Sequence, residues 1–117
     1  MSKKQHKAMF IITKSIYRNQ WKLLDLLKAK AKAEFEKNKE KCKKLETKIS
    51  KRERILTDLA LVRTAIKRAK NLDLIKVRVM GVDTNPSQIY MEFAMTLERA
   101  GFYIDADYDD TLVLTWS

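Results

Sequence analysis

With 117 residues, 25 Lys/Arg against 15 Asp/Glu and a formal net charge of +10, the chain is sized for one domain and suited to anionic partners. A single cysteine, Cys42, rules out an intrachain disulfide, and a hydrophobic content of 45% argues against wholesale disorder. No stretch approaches the roughly 20 apolar residues of a membrane span, and the run Ala8 to Ile12 is too short for a signal-peptide core, so a cytoplasmic protein with no membrane partner is expected.

Charge divides along the chain. Residues 1–78 hold 24 of the 25 basic residues against 8 acids, whereas residues 79–117 hold only Arg99 against 7 acids. Two glycines and one proline, Gly81, Gly101 and Pro86, all fall after residue 80. A Lys-, Glu-, Ala- and Leu-rich stretch without a breaker predicts long helices.

In chain order, residues 1–14 read as a flexible basic N-terminus, with Met9 to Ile12 as a short strand or a first helical turn. From about Ser15, the residues Ile16, Leu23, Leu24, Leu27, Ala31 and Phe35 recur at helical spacing, and the stripe continues through Asn38, Cys42, Leu45 and Ile49. The same register would then bury Arg52 and Arg63, while Ile55, Leu59, Val62, Ile66 and Ala69 form a stripe of their own. Ser50 to Glu53 also reads as a capping box. These signals predict two helices, about 15–48 and 51–70, forming a basic helical hairpin over residues 15–70. Asn38 on the seam, with Lys28 and Arg52, suits a short antiparallel hairpin or an intersubunit bundle better than a long parallel coiled coil.

Residues 71–117 read as a small acidic α/β unit packed on the helices. Ile75, Val77 and Val79 alternate with Lys76 and Arg78 as a half-buried strand. Pro86, with Asn85 or Thr84 as cap, opens a helix whose buried stripe is Ile89, Phe93, Leu97 and Ala100, and Gly101 stops it in a left-handed conformation. Phe102, Ile104 and Ala106 form a second strand, and Leu112, Leu114 and Trp116 a third, turning at Asp109 and Asp110. The first two strands are expected to run parallel and the third antiparallel. The fold class is therefore α+β, a long N-terminal helical hairpin followed by a strand–helix–strand–strand unit. Three strands and one helix are marginal alone, so a cover from the helices or from a second subunit is expected.

Candidate nucleic-acid contacts are Lys30, Lys37, Lys41, Lys44, Lys48, Lys51, Arg52 and Arg54, because a cationic helix displaces counterions from a phosphate backbone. Tyr17, Trp21 and Phe35 could stack on unpaired bases. Glu–Lys pairs such as Glu34–Lys30, Glu36–Lys32 and Glu40–Lys44 account for the acids of this region but not for its surplus of base. Candidate protein-binding residues are Asp105, Asp107, Asp109 and Asp110. Their spacing opens like an EF-hand loop, but Asp110 stands where glycine is needed and Trp116 where the bidentate glutamate is needed, so no metal is expected. His6 is alone, so a catalytic triad or a zinc cluster has no raw material; no glycine-rich phosphate loop exists, and neither enzyme activity nor a cofactor is expected.

The expected function is a non-enzymatic binding or regulatory protein that contacts nucleic acid or another polyanion through its basic helices and forms a homo-oligomer through helices and acidic head. The alternative is a protein-binding adaptor or inhibitor docking on a larger host protein, a type common among small, motif-free, strongly charged phage and mobile-element chains. A structural subunit polymerising head to helix is the third reading.

Overall fold

The computed structural model describes residues 3–69, 74–78, 88–108 and 111–116. Helix α1 spans Lys3–Phe35 and helix α2 spans Lys39–Arg68; strand β1 (Leu74–Arg78), helix α3 (Gln88–Arg99), strand β2 (Phe102–Tyr108) and strand β3 (Thr111–Trp116) follow. The architecture is mainly helical, a long helical hairpin carrying a small antiparallel sheet, with extents of 52 × 27 × 19 Å.

Both expected helix boundaries are corrected. Residues 3–14 are neither a loose tail nor a strand but the first turns of α1, because Ala8 and Ile12 share a face with Ile16 and all three are buried. Gln5 fixes this end: its Nε2 donates to the carbonyls of Ile66 (2.8 Å), which also accepts from the Ala69 amide (3.3 Å), and of Ala69 (2.9 Å), at the end of α2.

The hairpin turns at residues 36–38, not near Ser50. Glu36 follows the last helical residue of α1, and Lys37 then takes a left-handed φ of 57°. The Lys37 amide donates to Glu34 O (3.0 Å) and the Asn38 amide to Ala33 O (2.9 Å), the two crossed bonds of a Schellman motif. Asn38 also begins the next helix, its Oδ1 accepting from the Lys41 amide at 3.1 Å. It is an exposed N-cap and not a buried seam residue.

Helix α2 passes unbroken through Ser50 because its buried face is one stripe: Leu45, Ile49, Ile55, Asp58, Leu59, Val62 and Ile66, with Arg52 in line between Ile49 and Ile55. The apparent phase change arises from treating Arg52 as excluded from that face. Arg63, by contrast, is exposed. On α1 the expected stripe divides: Ile16 is buried and Leu23 half-buried, whereas Leu24, Leu27, Ala31 and Phe35 are exposed.

The sheet has the order β1-β3-β2, with β3 antiparallel to both neighbours. Strands β1 and β2 therefore run in the same direction, as expected, but are not paired; α3 carries the chain across the central strand. Register aligns Ile75, Leu114 and Ile104 in one row. A bulge at Asp105 leaves that residue without a cross-strand partner, so the strict alternation expected for β2 stops there. Gly101, at φ 98°, makes the left-handed stop after α3 and its amide donates to Glu98 O (3.0 Å). The expected cap, Asn85 or Thr84, and the helix-opening Pro86 lie outside the described residues.

One core joins the two parts. Ala8, Ile12 and Ile16 of α1 and Ile55, Leu59, Val62 and Ile66 of α2 pack with Phe93, Leu97, Ala100, Phe102 and Leu114. The hairpin itself thus supplies the cover that a three-stranded sheet requires. Toward the turn the core thins: Ala33, Leu45 and Ile49 are buried but lie outside that cluster.

Candidate polyanion interface

The basic residues sort by how far the fold has already engaged them. Lys30 lies 3.7 Å from Glu34 on its own helix and 3.5 Å from Glu46 across the hairpin, so it tethers α1 to α2. Lys44 reaches Glu40 at 3.9 Å, an exposed pair one helical turn apart. Two of the three Glu–Lys pairs expected from spacing form. Lys32 and Glu36 do not pair, because Glu36 falls past the last helical residue of α1.

Arg52 is the most engaged cation. Its Nη1 donates to Asn19 Oδ1 at 2.7 Å and to Glu92 Oε2 at 2.9 Å, joining α1, α2 and α3 at one point. Asn19 is buried and is itself oriented by donation from Nδ2 to Ser15 O (2.8 Å). The Arg52 Nε is buried without an acceptor. This side chain is a structural clamp at the edge of the cationic surface, a role that its position in the charge run did not reveal.

The other nominated cations, Lys37, Lys41, Lys48, Lys51 and Arg54, are exposed. Lys22, Lys28, Lys32, Lys39 and Lys43 share their condition, and none of these ten forms an ion pair in the described structure. All ten lie between residues 22 and 54; nine are in the half of the hairpin that extends from the clamp to the turn, and Arg54 is two residues beyond the clamp.

Beside the clamp, Lys22, Asp25 and Leu26 of α1, Lys48, Lys51 and Arg52 of α2 and Glu92 of α3 line a furrow of about 500 Å³. It continues along α3 into a second hollow of about 240 Å³ that adds Arg18 and Arg99. The furrow has Lys22 on one wall and Lys48, Lys51 and Arg52 on the other; Asp25 and Glu92 are its acids.

Of the nominated acidic residues, Asp105 is the bulge residue and Asp107 pairs in register with Leu112. Asp109 and Asp110 lie outside the described residues. Among the described residues, no three His, Cys, Asp or Glu side chains converge as a metal site would require, and no helix is long and apolar enough to cross a membrane. Cys42 is a half-buried free thiol on α2.

The exposed aromatic side chains on α1 were legible only in part. Tyr17, Trp21 and Phe35 stand out in the sequence as candidate stacking groups, but Phe10 joins them on the exposed face, with Lys14 Nζ 5.9 Å from its ring centroid. Comparison of the chain with protein-family models, with curated proteins and with solved structures finds no match.

Proposed function

We propose that this chain is a non-enzymatic binding protein whose hairpin, from the Arg52 clamp to the turn at residues 36–38, holds a polyanion, with nucleic acid as the main class. The observation that carries the reading is the set of ten exposed cations between Lys22 and Arg54 that have no carboxylate partner among the described residues. Unpaired lysines on a projecting helix pair gain little for the fold, since exposed charges of one sign repel. They gain most when phosphates replace their counterions. The furrow beside Arg52 gives the backbone of such a ligand a place to lie.

The test is binding to random duplex and single-stranded DNA and RNA across a salt series. If five lysines contact phosphates, log affinity should fall against log salt with a slope of about −4.5 for duplex and about −3.5 for single strands. The triple variant Lys41→Glu, Lys48→Glu, Lys51→Glu, checked for retained helicity by circular dichroism, should lose most of that slope. No binding at about 50 mM salt, or a slope near zero, refutes the proposal. A defined protein captured by the wild type and released on reversing Asp105, Asp107 and Asp109 supports the adaptor reading instead.

A further inference from the structure

Helix α1 is amphipathic twice. Its inner face, through Ala8, Ile12, Ile16 and Ala33, is buried. Its outer face carries a second heptad pattern, apolar except at two lysines. Phe10, Tyr17, Leu24 and Ala31 recur every seven residues, and Lys14, Trp21, Lys28 and Phe35 recur on the same period, offset by four. This face is exposed: Phe10 is 66%, Tyr17 58%, Trp21 67% and Phe35 89% accessible, with Leu24 and Leu27 at 40% and 45%.

We infer that this outer face is the interface with a second copy of the chain, packed antiparallel about a two-fold axis level with Lys22 and Leu23. Three observations select that occupant. The first is area. An aromatic side chain contributes about 150–250 Å² when buried, so four at these exposures, with two leucines, offer roughly 700 Å² per copy. That is near the 800 Å² or so that each partner contributes to a standard interface.

The second is the placement of the lysines. A parallel pair would set Lys14 against Lys14 and Lys28 against Lys28 inside the seam. The antiparallel register sets Lys14 beside the small Ala31 of the second copy and Lys28 beside the Tyr17 ring, a cation–π arrangement of the kind Lys14 already makes with Phe10. Phe10 then meets Phe35, and Trp21 meets Leu24.

The third is charge complementarity at the flank. In this register Arg18 of one copy faces Asp25 of the other on both sides of the axis, and neither forms an ion pair among the described residues. The pairing is self-complementary, as a two-fold interface requires.

The inference does not rest on the polyanion reading, and its test keeps the two apart. Nuclease-treated protein, shown free of nucleic acid by absorbance, is examined by sedimentation at about 0.5 M salt, where phosphate bridging is suppressed and apolar contacts persist. At about 100 µM chain the expected species has twice the chain mass. Trp21→Glu and Leu24→Glu each shift it to monomer with unchanged helicity, since both side chains lie off the core. For the register, Arg18→Glu and Asp25→Arg at physiological salt each weaken self-association by about threefold, and the double exchange restores it, as expected of a facing charge pair. A monomeric wild type overturns the inference, as does a dimer indifferent to both Trp21→Glu and Leu24→Glu. Failure of the double exchange to restore association overturns the antiparallel register.

Discussion

Replacing Arg52 with methionine tests which of its two bonds, to Asn19 of α1 or to Glu92 of α3, contributes more to the clamp. Methionine keeps the apolar stem and removes the guanidinium. The Glu92 end of the bond is 47% exposed, so the freed carboxylate returns to water and the loss there is that of an exposed pair, about 0.2–1 kcal/mol. The Asn19 end differs. Its residue is 8% exposed, and Oδ1 would lose its charged donor in a buried position, a loss of about 1–3 kcal/mol. Removing the unpaired Arg52 Nε offsets part of this, so the net destabilisation should be about 1–2 kcal/mol. Urea unfolding followed by circular dichroism, on the single and double variants with Asn19→Leu and Glu92→Gln, yields both coupling energies. The Arg52–Asn19 coupling should be the larger by about 1 kcal/mol. A larger coupling to Glu92 would refute the assignment of Arg52 as a clamp anchored by buried Asn19.

The turn provides an opposing pair of variants. Lys37→Gly, at a left-handed φ of 57°, should stabilise by about 0.5–1 kcal/mol, whereas Asn38→Ala should destabilise by about 1 kcal/mol through loss of the cap to Lys41; both are read from urea midpoints. In the core, Leu59→Ala at a fully buried site should lower stability by about 2–5 kcal/mol, while Leu61→Ala, 41% exposed, should stay within about 0.5 kcal/mol in the same measurement.

The long helices were legible because nothing between residues 3 and 69 forbids them, and helical spacing identified Ile55, Leu59, Val62 and Ile66 as a buried stripe. The place where the hairpin turns was not. Lys37 occupies a position where glycine is the usual signal, and the two crossed hydrogen bonds that define the turn come from backbone amides with no residue signature. Arg52 misled for a related reason. A charge on an apolar stripe reads as a phase break unless its partners are known, and those partners, Asn19 and Glu92, are 33 and 40 residues away. The two faces of α1 read as one stripe because Leu23 and Leu24 are adjacent in sequence yet belong to opposite sides. In the sheet, alternation revealed the strands but not their order. Placing β3 in the centre depends on pairings between segments distant in the chain.

The thinning of the core toward the turn has a dynamic consequence. Amides around Leu59 and Ile66 sit where helices and sheet share one core, and they should exchange with solvent only on global unfolding. Amides of the turn half, backed chiefly by Ala33, Leu45 and Ile49, can open locally without disturbing the sheet. A ligand that bridges α1 and α2 there would close this opening first. The ordering cost of binding would then fall on the same half of the hairpin that carries the charge.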